Sequence, residues 1–374
     1  MNISILSVGP PYRGGISEQT YYLYEKLSVE NNVQLINFKR QYPSVLFPGK
    51  NQYADNPTFQ IDNNHRLVDS VNFFSWSKVA NYIYQQSPDL ILLRFWNPFF
   101  ALSHGSIIKK IKKRNPKIKV IAICDNIIPH EKNIIDIPLI KYLFKQIDGF
   151  IVMSDKVEKE LMSLNSEFNY KKIFHPVSNK EQKWTKESAR TKLEISSKKI
   201  ILFYGFVRKY KGLETLITSN KFLAKKIDDY QIIICGESYE NSSKYEKLIK
   251  QYSVKENDIK WVNKYLSDEM SSLYFAASDV VVLPYNSASQ SGVIPMAYSY
   301  ERPVIASDIM GINEMVHNKK TGFLFKRKDP LDLSNKIIDF FQIEANYNAD
   351  ILEFRKQFSW NYFIDQITDL YSEL

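Results

Sequence analysis

Two cations stand three residues apart in the loop YGFVRKYKGLETL (204–216), between an apolar run and a predicted helix. Arg208 and Lys211 are residue types that bind phosphate oxygens, Arg through a planar fork of donors and Lys as a point charge. Gly212 follows them, and the N-terminus of the next helix would add backbone N–H groups. This spacing predicts a diphosphate site, and a solvated basic turn is the alternative interpretation.

A second loop, SASQSGV (287–293), combines small residues with hydroxyl groups after another apolar run. Its serines, Ser289 and Ser291 among them, would form a cradle for an anion together with the backbone amides around Gly292. Glu314 lies in the next connection and is predicted at the start of a helix. The alternative interpretation of Glu314 is a charge that only stabilises the helix N-terminus.

The loop GPPYRGGISEQT (9–20) follows the first apolar run of the chain. Gly14 and Gly15 allow a positive φ or a close backbone approach, and a helix is predicted from about Ile16. Free N–H groups at that helix start would bind an anion, and an ordinary turn between strand and helix is the alternative. The loop lacks the G-x-G-x-x-G spacing, which disfavours a dinucleotide-binding site.

His130 lies in the loop CDNIIPHEKN, with Asp125 and Glu131 close by. Loops at the carboxyl ends of strands are where an acceptor would bind, so these three residues are candidate acceptor contacts and His130 a candidate base. A hydrogen-bonded loop histidine is the alternative. The histidines lack zinc-ligand spacing, and the chain contains no Asp-x-Asp, so no metal cofactor is expected.

Apolar strands alternate with helical patterns along both halves of the chain, which predicts an α/β fold of two doubly wound parallel sheets. The irregular segment IFHPVSNKEQKW (173–184) predicts a boundary between a first domain of 1–178 and a second of 179–355. The helix in 356–374 is expected to pack back on the first domain. Two such domains would place a ligand cleft between the carboxyl ends of their sheets.

The positive charge is concentrated in the first half of the chain. Residues 1–185 hold 24 Lys and Arg against 16 Asp and Glu, whereas residues 186–374 hold 26 against 25. The run KKIKKRNPKIK (109–119) is interpreted either as a solvated helix end or as a patch for anionic lipid. Because no secretory signal or membrane-spanning run is evident, a cytoplasmic protein is expected, peripheral on the inner face of the membrane.

The sequence resembles family 4 retaining glycosyltransferases, which have the two-domain GT-B fold, over nearly the whole chain. The motifs similar to the donor domain of this family are FYGFVRKYKGLETLI, SDVVVLPYNSASQSGV, and PVIASDIMGINEMV with TGFLF. GPPYRGGI resembles the first loop of the family, and PHEKN with GFIVMSDKVEKEL resembles its acceptor domain. The resemblance implies that Arg208 and Lys211 neutralise a nucleotide diphosphate as the sugar–phosphate bond breaks, while the Gly14–Gly15 loop closes over the same phosphates. The other implied donor contacts are Ser291, Gly292 and Val293 at the diphosphate, and Lys264, Tyr265, Ser289, Gln290 and Glu314 at the base or sugar.

The chain departs from the family pattern at three positions. Many members carry two Glu residues that touch the sugar and the ribose, and these positions fall at Ala288 and Met296. The commoner Arg aligns with Phe206, two residues before Arg208. The chain is similar instead to a subgroup with an S-Q-S-G-V loop. The contacts that the two Glu residues make with the sugar and the ribose therefore cannot be carried over to this chain.

The resulting hypothesis is a metal-independent retaining glycosyltransferase that moves a sugar from a UDP- or GDP-sugar to a saccharide or lipid-linked acceptor. Bacterial polysaccharide or glycolipid synthesis is the setting that the resemblance implies. An epimerase or phosphorylase on the same fold and a non-catalytic nucleotide-sugar-binding protein remain alternatives. Nucleic acid is not expected as a partner, because the basic run has no interleaved aromatic residues.

Overall fold

The computed structural model describes residues 1–43, 52–53, 59–129, 133–177, 183–255, 258–288, 290–343 and 346–374. The chain forms two compact units, Met1–Phe174 with Trp360–Leu374, and His175–Ser359. The first boundary between the units, after Phe174, lies four residues before the predicted boundary after residue 178. The second, after Ser359, lies four residues after the predicted boundary at 355. A hydrogen bond of 2.9 Å from the Val177 N–H to the Phe358 carbonyl holds both ends of the second unit together.

Unit 1 contains a seven-stranded sheet in the order β3-β2-β1-β4-β5-β6-β7, and all its strand pairs are parallel. The strands are β1 (Asn2–Leu6), β2 (Asn32–Arg40), β3 (Asn64–Asp69), β4 (Leu90–Phe95), β5 (Lys119–Cys124), β6 (Gly149–Val152) and β7 (Tyr170–Lys172). The helices between them are α1 (Gly15–Leu27), α2 (Phe73–Gln85), α3 (Ala101–Arg114), α4 (Asp136–Phe144) and α5 (Asp155–Leu164).

Unit 2 repeats this plan with six parallel strands in the order β10-β9-β8-β11-β12-β13. After α6 (Lys186–Lys192) come the strands β8 (Lys199–Tyr204), β9 (Tyr230–Cys235), β10 (Ile259–Val262), β11 (Val280–Leu283), β12 (Val304–Ser307) and β13 (Gly322–Phe325). Its other helices are α7 (Leu213–Leu223), α8 (Ser242–Tyr252), α9 (Asp268–Ala277), α10 (Val293–Ser299), α11 (Pro330–Gln342) and α12 (Asn348–Phe354). The last helix, α13 (Trp360–Glu373), belongs to unit 1.

The sheet of unit 1 is covered on both faces, as its uninterrupted apolar strands require. Alternate residues of β4 point to opposite faces: Ile91 packs with α2, α3 and α4, whereas Leu92 packs with α1 and α13. Phe363 and Ile367 are two of the α13 residues that fill this second core. The helix α13 thus helps to cover one face of the first sheet.

The predicted fold class is confirmed, because both units are doubly wound parallel α/β sheets of the Rossmann type. Three short strands, β3, β7 and β13, were not predicted. β3 and β7 are polar edge strands, and edge strands need no continuous apolar run. None of the helices in the described part of the chain is long and apolar enough to cross a bilayer.

Candidate functional site

The two loops that were predicted to bind phosphate, one after β8 and one after β11, flank the same point of the second sheet. β8 lies between β9 and β11, so the strand order reverses between β8 and β11. Ligands of open α/β sheets bind at the carboxyl ends of the strands at such a reversal. The loop 205–212 follows β8 and the loop 284–292 follows β11, so the topology brings both predicted phosphate loops to this edge.

Direct hydrogen bonds join the two loops. The Asn286 N–H donates to the Tyr210 carbonyl over 2.6 Å, and the Asn286 side-chain amide donates to the Lys209 carbonyl over 3.0 Å. Gly212 has a φ of 64°, and a Cβ there would lie 1.9 Å from the carbonyl oxygen of Pro284. Only glycine permits this approach, so the loops form one rigid structure.

Lys211 is a buried cation inside this structure, with a side chain only 9% exposed to solvent. Its Nζ lies 5.5 Å from the centre of the Tyr285 ring. Within the described ranges, no carboxylate forms an ion pair with it. Burial first, and the nearby Arg208 guanidinium second, lower the pKa of Lys211 to about 8. The site therefore holds a positive charge at neutral pH that forms no ion pair with a carboxylate of the described residues.

Arg208 lies at the surface of the same loop, with its guanidinium 5.0 Å from the centre of the Tyr239 ring. The Phe206 ring packs edge-on against Tyr239 at 4.6 Å and is stacked on Tyr265 at 6.2 Å. Phe206 is the residue that the resemblance aligned with the commoner Arg. Its ring belongs to an aromatic cluster beside the site.

A cavity of about 190 Å³ opens between these groups. Lys211, Gly205 and Gly236 line its inner part, and Lys264 and Tyr265 line its mouth. β10 ends at Val262, and Lys264 and Tyr265 are exposed in the loop that follows it. The Lys264 N–H donates to the Val262 carbonyl over 2.9 Å. Contact of either residue with a base stays a prediction.

The S-Q-S-G-V loop lies just before α10. The Ser291 side chain is buried, and its Oγ accepts a hydrogen bond of 3.2 Å from the Val293 N–H. Gly292 has an ordinary φ of −71° and no atom within 4 Å of where its Cβ would stand. Gln290 Oε1 is buried without a hydrogen-bond partner among the described residues. Ser289 lies outside the described residues.

Glu314 was predicted at the start of a helix, and this prediction is wrong. It lies in a single 3-10 turn, Asn313–Met315, that leads into an extended residue. Gly311, with a φ of 85°, turns the chain sharply just before it, so no regular helix follows β12. Glu314 is half-buried, and its contact with the donor sugar stays a prediction.

The glycine loop of unit 1 has the expected backbone. Gly14 adopts a φ of 113°, and α1 begins at Gly15, one residue before the predicted start. A Cβ would meet no atom within 4 Å at either glycine, so open space surrounds both. The backbone can therefore approach a ligand here, although a contact with the diphosphate stays a prediction.

Asp125 follows β5 and is held by an internal partner. Its two carboxylate oxygens accept hydrogen bonds of 2.8 and 2.7 Å from Arg94, and both side chains are buried. Glu160 accepts hydrogen bonds from the Ile127 and Ile128 N–H groups of the same loop, over 3.4 and 3.1 Å. His130 and Glu131 lie outside the described residues, so their acceptor and base roles stay predictions.

The sequence reasoning missed three residues that shape these sites. Tyr285 and Asn286 connect the two loops of unit 2, and Arg94 fixes Asp125. Arg94 offered a signal, since a charged residue inside the apolar run LILLRF needs a buried partner. In the described part of the chain, no three His, Cys, Asp or Glu side chains converge as metal ligands.

Two Rossmann-like units, with a cationic site at the strand-order reversal of the second, define a GT-B fold. Residues 185–359, nearly all of unit 2, match the model of the family described as "Glycosyl transferases group 1". Among solved structures, Anabaena HepE in complex with UDP superposes with a TM-score of 0.73 at 16% identity and covers 100% of both chains.

Two curated relatives illustrate the extent of the similarity. A 2-deoxystreptamine N-acetyl-D-glucosaminyltransferase of Niallia circulans is 28% identical over 158 residues, which are 42% of this chain and 39% of that protein. An uncharacterized glycosyltransferase of Methanocaldococcus jannaschii is 21% identical over 382 residues, which are 97% of this chain and 96% of that protein. The chain spans only 39–48% of the length of five relatives that it matches.

Proposed function

We propose that the protein is a retaining glycosyltransferase that moves a sugar from a nucleotide-diphosphate sugar to a saccharide or lipid-linked acceptor. The observation that carries the proposal is Lys211, a buried cation at the strand-order reversal of unit 2 that pairs with no carboxylate among the residues that the structure describes. Polysaccharide or glycolipid synthesis is the proposed setting.

A buried charge without a partner reduces stability, and proteins keep such charges where a ligand compensates them. A nucleoside diphosphate carries the opposite charge, and Lys211 and Arg208 lie on one short loop at this edge. A structurally similar protein supports this ligand, since HepE was solved in complex with UDP and with UDP-glucose. A UDP-sugar is therefore the first donor to test, and a GDP-sugar the second.

In the proposed reaction, the bond between the anomeric carbon and the diphosphate oxygen breaks, and a bond to the acceptor oxygen forms on the same face. Arg208 and Lys211 stabilise the negative charge that develops on the leaving diphosphate. The acceptor proton passes to the leaving phosphate or to a base, for which His130 is the candidate. These two cations would take the place of a metal ion, so the reaction is proposed to be metal-independent.

Thermal-shift binding in the presence of EDTA tests the donor site. UDP, GDP, ADP and their sugars are compared on the wild type, Lys211→Met and Lys209→Met. Lys209 lies in the same 3-10 turn but is exposed, so it is the matched control. We expect one nucleotide family to stabilise the wild type and the control, and Lys211→Met to lose the shift. No shift with any nucleotide would contradict the proposal.

The base assignment has its own kinetic test. His130→Ala is expected to lower turnover far more than it lowers donor affinity, because a base acts only after the donor has bound. An equal loss of turnover and affinity would remove His130 as the base. Product analysis on the same samples separates transfer from the alternatives, since an epimerase releases a new nucleotide sugar and a binding protein releases no product.

Attachment to an anionic membrane through 109–119 is a second proposal for unit 1. Lys112 pairs with Asp148 at 2.5 Å, and Lys119 donates to the terminal Leu374 oxygen at 2.5 Å, so these two cations have internal partners. Lys113 and Lys117 are exposed and give the best charge-reversal variant. Flotation with anionic liposomes should weaken on reversal, and unchanged flotation would remove the proposal.

A further inference from the structure

Unit 1 contains a cavity that none of the predicted site residues lines. It has a volume of about 880 Å³ and lies between the ends of β2 and β3 and the start of α2. Pockets of this size accommodate a small organic ligand. Three of its lining side chains are cationic, Lys39, Arg66 and Lys78, and Asp69 is its one acidic lining residue among those described.

Two irregularities in the sheet edge shape this cavity. Asn37 pairs with Arg66 and Phe38 pairs with Val68, so Leu67 is an extra residue on β3. Arg40 then pairs with Asp69, so Lys39 is an extra residue on β2. Bulges of this kind redirect side chains out of the regular alternation. Both extra residues, Leu67 and Lys39, line the cavity.

The charges of the cavity are not balanced from within. Arg40 engages Asp69 through contacts of 3.0 and 2.7 Å, which occupies the acidic lining residue. In the described part of unit 1, neither Lys39 nor Lys78 forms an ion pair with a carboxylate. The cavity therefore presents at least two ammonium groups for a negative ligand.

Arg66 is held in place as a third donor. Its Nε donates to the Phe38 carbonyl over 3.2 Å, and one terminal nitrogen donates to the Tyr53 hydroxyl over 2.9 Å. Its guanidinium lies 5.4 Å from the Tyr12 ring centre and 5.2 Å from that of Tyr53. A guanidinium fixed in this way loses little side-chain entropy when it binds phosphate.

Apart from Asn72 and Ser75, the remaining lining is apolar. Leu67, Val79, Tyr82 and Phe74 contribute to it, and Phe74 is 87% exposed although it is a large hydrophobic residue. Phe73, the next residue on α2, is 63% exposed. A cationic lining with an exposed aromatic rim suits a ligand that joins a phosphate to a sugar face or an apolar chain.

We infer that this cavity binds a phosphate ester, the anionic part of the acceptor, through Lys39, Arg66 and Lys78. The inference rests on the proposed function for its link to the acceptor, whereas the binding itself does not depend on the donor site. The phosphate belongs either to a soluble sugar phosphate or to a lipid headgroup, and both share the chemistry that the cavity offers.

The test uses the full chain and two charge-matched variants. Lys39→Gln with Lys78→Gln removes two cavity cations, and Lys26→Gln with Lys159→Gln removes two exposed cations from α1 and α5. Calorimetry with glucose 6-phosphate measures the soluble source. Flotation with phosphatidylcholine vesicles that contain phosphatidic acid measures the lipid source, with Phe74→Ser as an added variant.

We expect binding to one of the two probes, about tenfold weaker in the cavity variant and unchanged in the control, since charge-assisted hydrogen bonds to phosphate are strong. Dependence of flotation on Phe74 identifies the lipid source, and glucose 6-phosphate binding identifies the soluble one. Equal weakening in both lysine variants, or binding of neither probe, overturns the inference. Nucleotide binding measured on the same samples reports on the donor proposal separately.

Discussion

The ammonium nitrogen of Lys211 lies 2.5 Å from the point where a Cβ would stand at Gly205, so the lysine fills the space that this glycine leaves open. Gly205 follows β8 directly and has a φ of 104°, which L side chains rarely adopt. The backbone of one residue therefore sets the position of the buried charge. Four predictions follow from this and from related contacts in the two units.

Gly205→Ala is expected to weaken nucleotide binding, because the new methyl group displaces the Lys211 ammonium. The positive φ adds backbone strain of about 1–3 kcal/mol, so chemical denaturation should show lower stability as well. A double-mutant cycle with Lys211→Met separates the two effects. If Gly205→Ala acts through the lysine, it should lower nucleotide affinity less in the Lys211→Met background than in the wild type. An equal binding loss in both backgrounds would contradict this reason.

The affinity for a nucleoside diphosphate should fall as the pH rises above about 8, the pKa to which burial lowers Lys211. The anion binds the protonated lysine, so affinity is constant below this pKa. Above it, each pH unit costs up to about tenfold until the pKa of the bound lysine is reached. Lys211→Arg keeps its charge throughout this range and should remove the pH dependence. Calorimetry between pH 7 and pH 10 checks both, and a flat wild-type profile would contradict the prediction.

The sequence predicted the central strands and the edge strand β10, and it missed the other three edge strands. Runs such as LILLRF and VVVL are buried on both faces and are clearly apolar, whereas the edge strand NHRLVD has a polar face. The loops 204–216 and 287–293 were predicted as phosphate sites from their residue types, and that role stays a prediction. The burial of Lys211 was not predictable, because it depends on Gly205 and Tyr285, which only the folded loops bring together.

The ion pair between Arg94 and Asp125 is a second contact that could not be predicted from the sequence alone. Arg94 lies inside one apolar run and Asp125 follows another, but only the parallel register of β4 and β5 places the two side chains together. Asp125 was predicted as an acceptor contact, without an internal partner. A carboxylate that accepts two hydrogen bonds from a buried Arg also has a structural role, and the two roles separate by experiment.

Asp125→Ala should destabilise unit 1 strongly, by about 3–5 kcal/mol, because it leaves the Arg94 guanidinium buried without its partner. Adding Arg94→Met should recover part of this loss, since an apolar pair needs no compensation. Urea denaturation of the two variants and of Arg94→Met alone measures the coupling. Additive losses would show that the ion pair does not set the stability.

His104 provides a pH-dependent contribution to the stability of unit 1. Its ring is fully buried on α3, 5.7 Å from the Phe38 ring and 6.0 Å from the Phe100 ring. Neither ring nitrogen has a hydrogen-bond partner among the described residues, and burial lowers its pKa to about 3. The folded protein therefore keeps this histidine neutral where the unfolded chain protonates it.

Below pH 6.5 the unfolded chain binds a proton that the folded chain does not bind, so stability falls as the pH falls toward 3. The slope from one proton is at most about 1.4 kcal/mol per pH unit. His104→Leu removes this proton uptake, so its melting temperature relative to wild type should stay constant from pH 8 to about pH 7 and rise from there to pH 5. The half-exposed His65 supplies the control, His65→Gln, for which a much smaller pH-dependent difference is expected. A melting-temperature difference for His104→Leu that stays constant with pH would show that the ring gains a proton without unfolding.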